Sequence, residues 1–145
     1  MSQIQIAIAS YTEYLAIIKA IRTKVFHEEQ GIDPELEFDG LDHGATHLLA
    51  YLDSQPVGTA RIRSIEENII KIERLAVLPE ARRKGIGKKL TQEALDFAQE
   101  HNYQTAILNS QVYIKELYEQ LGFEQVGEVF DEAGIPHIKM IKNID

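Results

Sequence analysis

Apolar residues alternate along residues 3–9, where Ile4, Ile6 and Ile8 stand between small or polar neighbours. That period of two predicts a half-buried strand. Ser10 and Thr12 then offer capping oxygens, with Glu13 in the first turn. Tyr14, Ile18, Ile21 and Val25 follow at helical spacing, so residues 12–26 are predicted as an amphipathic helix. The pattern lapses over residues 27–45, which Gly31, Pro34, Gly40 and Gly44 punctuate. A loop with short helical pieces is expected there. Residues 47–52 and 57–64 read as a hairpin around the turn Asp53-Ser54-Gln55-Pro56. Residues 69–77 read as a further strand, which Pro79 stops.

The second half repeats the alternation of periods. Ile86, Leu90, Ala94, Phe97 and Ala98 share one face of a helix over residues 85–99. Residues 105–108 read as a short buried strand. A second helix is predicted over residues 111–121, with Ile114, Leu117, Tyr118 and Leu121 on one stripe. Gly122 suits the left-handed residue that ends it. Residues 123–130 and 137–141 read as a hairpin joined by Asp131-Glu132-Ala133-Gly134. The order β-α-β-β-β-α-β-α-β-β, without repeats or a linker, predicts one domain over residues 1–145. The fold expected is mixed α/β (α+β) on a largely antiparallel sheet.

Composition narrows the function. The chain has 145 residues, 44% apolar and 26% charged, which is enough to bury a core. It has no cysteine, which excludes disulfides, thiolate metal sites and a cysteine nucleophile. This fits a reducing compartment, and a cytoplasmic location is expected. No long apolar run or charged-then-apolar leader stands in the sequence, so neither a membrane span nor a signal peptide is expected. A net charge of −8 disfavours nucleic acid as a partner. No pair among His27, His43, His47, His101 and His137 has metal-binding His-Glu-x-x-His spacing, so no metal site is expected.

The charge is unevenly spread. Residues 28–42 hold Glu28, Glu29, Asp33, Glu35, Glu37, Asp39 and Asp42 with no Lys or Arg. Residues 71–89 hold Lys71, Arg74, Arg82, Arg83, Lys84, Lys88 and Lys89 against Glu73 and Glu80. Two opposite poles suggest two ligands, or one ligand group of each sign.

The basic pole coincides with the most informative motif. Arg82-Arg83-Lys84-Gly85-Ile86-Gly87-Lys88-Lys89 places bases and glycines between a strand and a helix. Unpaired amides and the helix dipole make such a start an anion site, and glycine lets a phosphate approach the backbone. The same residues also fit a plain solvated helix start. A Walker A loop needs Ser or Thr where Lys89 stands. A dinucleotide fingerprint needs Gly or Ala where Leu90 stands, and an acid where Asn109 stands.

Arg82-x-x-Gly85-x-Gly87 after Leu75-Ala76-Val77 resembles the cofactor motif of the GCN5-related N-acetyltransferase (GNAT) superfamily. So does Tyr118-Glu119-Gln120-Leu121-Gly122-Phe123. Arg22-x-x-Val25-Phe26-x-x-Glu29-Gln30, Glu37-x-Asp39-x-x-Asp42 and Ile72-Glu73-Arg74 extend the resemblance to a bacterial ElaA-like subgroup. Glu128-x-Phe130-x-Glu132-x-Gly134-Ile135-Pro136-His137-x-x-Met140 does the same. Leu117 and Asn109-Ser110 depart from the family pattern.

The resemblance implies an acetyl-CoA-dependent N-acetyltransferase that works without a metal on a small-molecule amine. It implies a sheet whose fourth and fifth strands splay to admit the thioester. The amides of Arg83, Lys84, Gly85, Ile86, Gly87 and Lys88 would bind the pyrophosphate, with Arg82 beside them. Leu75, Ala76 and Val77 would pair with the pantetheine arm, the Val77 amide being a donor for the oxyanion, and Asn109 would face that arm. Tyr118 would protonate the departing thiolate, and Glu73, through water, would take the amine's proton. Arg22, Glu29, Gln30 and His137 would line the acceptor site, Arg22 or His137 holding a carboxylate there. The acidic segment would attract a protonated amine. A monomer or homodimer is expected.

Each assignment has a plainer alternative. Tyr118 also fits a core aromatic, Glu73 a cross-strand ion partner and Asn109 a helix cap. Residues 28–42 also fit a solvated loop. A non-catalytic acyl-CoA-binding or sensing module stays open on the same fold.

Overall fold

In the computed structural model, which describes residues 3–144, the first alternating segment is strand β1 (Ile4–Ala9). Ser10 caps the turn that follows, its Oγ accepting from the Glu13 amide at 3.3 Å. Helix α1 (Leu15–Arg22) begins there. It does not stop near residue 26 but widens into a π-helical stretch, Thr23–Glu29, closed by Gln30 N–H to the Val25 carbonyl at 3.1 Å. Such wide turns gather where a site needs side chains re-aimed. Asp33 caps the short α2 (Pro34–Glu37) by accepting from the Glu35 amide.

Strands β2 (Thr46–Leu52), β3 (Gln55–Glu66) and β4 (Ile69–Val77) form an antiparallel meander beside β1. Helix α3 (Ile86–Glu100) returns the chain to β5 (Thr105–Gln111), which runs parallel to β4. After a 3₁₀ turn and α4 (Lys115–Glu119), the hairpin β6 (Glu124–Glu132) and β7 (Ile135–Asn143) completes a seven-stranded sheet, ordered β1-β2-β3-β4-β5-β7-β6. Ala133 and Gly134, both at positive φ, make the two-residue hairpin turn.

Alternation sorts the strand side chains onto two faces. Leu48, Ile62, Ile70, Leu108 and Met140 pack with Leu90 and Ala94 of α3 in one core. Leu49 and Ala76 pack with Ile18, Ile21, Val25 and Phe26 in the other. Two expectations change. Strand β5 runs on to Gln111, and α4 is correspondingly short. Asn109, Ser110 and Gln111 are recruited by pairing with Lys139, Ile138 and His137 of β7, a long-range contact that local periodicity does not carry.

Candidate functional site

Strands β4 and β5 pair only where Ile69, Ile70 and Lys71 meet Thr105, Ala106 and Ile107. Beyond that point they diverge. Arg74 sits in the left-handed region (φ 55°) and makes a bulge in β4, so its register against β3 shifts between Glu73 and Ala76. A non-glycine residue at such an angle inside a strand is held there by its surroundings. A cleft of about 740 Å³ opens in the gap, within the usual range for small-molecule sites.

One end of the cleft is built for an anion. None of the backbone amides of Arg83, Lys84, Gly85, Ile86, Gly87 and Lys88 donates to a protein acceptor; the next amide, of Lys89, bonds the Gly85 carbonyl. Gly85 caps α3 at φ 79°, a conformation glycine adopts freely. The run of free amides, the helix dipole and the Arg83 and Lys88 side chains suit a pyrophosphate; Lys84 does not line the cleft. A Cβ on Gly87 would project toward Leu117, Leu75 and Val77 at 3.5–4.0 Å. Leu75, Ala76 and Val77 continue from this end along the cleft wall. Arg82 is differently placed. Its Nε donates to the Val77 carbonyl at 2.9 Å, and both terminal nitrogens meet the Glu29 carboxylate at 2.5 Å.

The middle of the cleft holds Tyr118, packed edge-on to Phe123 with ring centroids 6.0 Å apart. Burial, and to a smaller extent Tyr113, pushes its phenol well above the ordinary value, so it stays protonated. Asn109 lines the wall from inside β5 rather than capping a helix; its Nδ2 donates to Glu132 Oε1 at 3.1 Å.

The far end opens on the α1 face of the sheet. Glu73, Asn109, Gln111 and His137 line it, with Gln30 and Glu132. Gln111 donates to Gln30 Oε1 at 3.0 Å, a strap from the π-helical stretch to β5. Gln111 and Glu132 were not expected as site residues. Local pattern makes the first a helix start and the second part of a turn; the pairing of β7 with β5 and β6 places both in strands.

Glu73 is crowded by cations. Arg61 meets it at 3.1 Å, Arg63 Nε at 2.5 Å and Lys71 at 3.6 Å. Burial alone would raise its carboxyl, but the Arg63 hydrogen bond and the charges of Arg61 and Lys71 hold it below the usual range. A carboxylate so stabilised is a weak proton acceptor.

The acidic segment is the other surprise. Arg22, one of two residues expected to hold an acceptor's carboxylate, is 1% exposed and ion-paired to Glu37 and Asp42. Arg61, fully buried, pairs with Asp39 at 2.8 Å and Asp42 at 3.1 Å. Arg74 pairs with Glu37 at 3.2 Å and Asp39 at 3.1 Å. Three arginines thus balance three acids, and Glu29 faces Arg82 instead of the cleft. Most of the segment's charge is neutralised internally rather than displayed to a cationic acceptor.

That network ties stability to pH. Hydrogen bonding from Arg61 holds Asp39 well below the usual carboxylate range. Burial pushes Asp42 up, but Arg22 and Arg61 outweigh it and hold it below its ordinary value. Both stabilisations are complete above the unfolded value of about 3.9 and are lost as pH falls through the lower folded values. Burial also pushes His47 down, so its contribution is complete above about 6.5 and declines below that. Urea midpoints should be level above neutrality, fall gently below about pH 6.5 and steeply below about pH 4. A midpoint unchanged from pH 7 to 3 would contradict the network's role.

Among the described residues no cluster of three or more His, Cys, Asp or Glu could hold a metal ion. No described helix is long and apolar enough to cross a membrane. A family model described as Acetyltransferase (GNAT) domain matches residues 14–144. A Bacillus subtilis protein named as a candidate acetyltransferase is 39% identical over 128 residues, 86% of each chain. The crystal structure of an acyl-CoA N-acyltransferase from Pseudomonas aeruginosa superposes with a TM-score of 0.85 at 30% identity, covering 97% of this chain and 99% of that one. Escherichia coli ElaA superposes with a TM-score of 0.82 at 28% identity, covering 99% and 100%. The chain belongs to the GNAT acetyltransferase family, in its ElaA-like subgroup.

Proposed function

We propose that this protein transfers the acetyl group of acetyl-CoA directly to a primary amine of a small-molecule acceptor. One observation carries the reading. A run of free amides at the start of α3 opens onto a cleft that passes between splayed strands, reaches Tyr118, and ends at a polar wall on the opposite face. The anion end would hold the donor's diphosphate, and unpaired β4 backbone would hold its extended arm as an added strand does. Tyr118 would donate a hydrogen bond to sulfur as the carbon–sulfur bond breaks. A thiolate's ordinary pKa is about 8.5 and a phenol's about 10. Tyr118 lies higher still, so it serves as a donor and relay. The proton that ends on sulfur comes from the attacking nitrogen.

Free thiol measured against a panel of polyamines and amino sugars tests the activity. Acetyl-CoA binding without thiol release for any amine would favour the sensing module instead. Tyr118→Phe should lower kcat by roughly 10²-fold, while acetyl-CoA affinity stays within about twofold. A variant with the parent's rate would assign thiolate protonation to water.

A further inference from the structure

His137 is placed between two strands, opposite Gln111 of β5 and Phe130 of β6. It is 6% exposed and lines the acceptor end of the cleft. Its Nδ1 lies 2.7 Å from the Ile135 carbonyl. A carbonyl only accepts, so Nδ1 carries the ring hydrogen and Nε2 presents a lone pair. That lone pair faces Glu132 Oε2 at 3.5 Å. The other oxygen of Glu132 is held by Asn109. In the neutral ring two acceptors therefore stand side by side, 3.5 Å apart, with no donor shared by them. The group they suit is one with several N–H bonds and a positive charge. This is the opposite of the carboxylate expected at Arg22 or His137, because a carboxylate beside His137 would meet Glu132.

We infer that an ammonium group of the acceptor bridges His137 Nε2 and Glu132 from the cleft side, and that His137 takes its proton before attack. This rests on the N-acetyltransferase reading. The ammonium N–H bond breaks and an Nε2–H bond forms. The nitrogen lone pair so freed makes the bond to the acetyl carbon as the carbon–sulfur bond breaks. A second nitrogen proton ends on sulfur by way of Tyr118. Glu132 steadies the imidazolium, and through its 44% exposed carboxylate the Nε2 proton passes to solvent, which returns His137 to the neutral form. Glu73 does not compete for this role, since Arg61, Arg63 and Lys71 already occupy its carboxylate.

The charged groups around His137 are few. Glu132 faces it from β6, and Lys139 stands two residues along β7. Its β5 neighbours, Asn109 and Gln111, are uncharged. Lys71, Glu73 and Arg74 line the cleft from β4.

His137→Asn is the test, because the asparagine amide can still donate to the Ile135 carbonyl while Nε2 is lost. With spermidine or glucosamine as acceptor, kcat/KM should fall roughly 10²-fold or more, and its acidic limb should vanish. Acetyl-CoA affinity should stay within about twofold, which shows that the fold and donor site survive. Glu73→Gln should keep the limb. A His137→Asn rate within about threefold of the parent, or a retained limb, would overturn the inference. A second arm needs no turnover. In ¹⁵N-histidine-labelled protein, His137 should show the Nδ1–H tautomer, and methylammonium should move its Nε2 resonance in the parent but not in Glu132→Gln. The other tautomer, or no movement, would overturn the inference even if acetyl transfer is observed. Absence of thiol release with every amine would instead remove the activity reading.

Discussion

Arg61→Met should destabilise the protein by about 3–5 kcal/mol, because it removes a fully buried cation shared by three carboxylates and leaves each with fewer partners. Arg61 is fully buried, and its terminal nitrogens reach Asp39, Asp42 and Glu73. The side chains of Asp42 and Glu73 are themselves 6% and 9% exposed. With the arginine gone, Arg22 still faces Asp42 and Arg63 and Lys71 still face Glu73, but hydrogen bonds that stabilise the charged acids in a poorly solvated place are lost. The loss is a large share of the roughly 5–15 kcal/mol that holds an ordinary domain folded. It should lower Tm by about 10 °C or more. Arg61→Lys should lose less, since it keeps the charge but not the fork that reaches several carboxylates at once. Urea unfolding at neutral pH measures both. A loss below about 1 kcal/mol for Arg61→Met would class these contacts with exposed surface pairs.

Gly87→Phe should weaken acetyl-CoA binding at least a hundredfold while leaving the fold intact. A Cβ at this position meets only side-chain carbons of Leu117, Leu75 and Val77, at ordinary contact distance. The protein itself therefore accommodates a methyl group. A ring attached there extends into the cleft beside the free amides, where the donor's diphosphate and arm would lie. Gly87→Ala should be mild in comparison, so the effect grades with size. Calorimetric titration of acetyl-CoA against both variants, beside their thermal midpoints, separates blocked binding from misfolding. A phenylalanine variant that binds as tightly as the parent would remove the α3 start from the donor site.

Much of the architecture is legible in local pattern. The order of strands and helices follows from periods of two and 3.6 and from turn chemistry at Asp53-Ser54 and Ala133-Gly134. The anion end is legible too, since a glycine-rich helix start carries its free amides wherever it is placed. The remainder depends on partners distant in the chain. Gln111 belongs to β5 only because His137 pairs with it. The signal for Glu132 lay in the motif Glu128-x-Phe130-x-Glu132, but its use depends on Asn109 and His137 reaching it from other strands.

Charge shows the division most clearly. By itself the sequence determined the family, the element order, a basic helix start and an acidic run of residues 28–42. Only the tertiary structure decided what those charges do. It turned Arg22, Arg61 and Arg74 onto Glu37, Asp39 and Asp42, and Arg82 onto Glu29. The physical reason is range. Conformational preference acts over a few residues and can be read along the chain. The effect of a charge is set by the nearest opposite charge and by the loss of water around it, and folding alone brings those together.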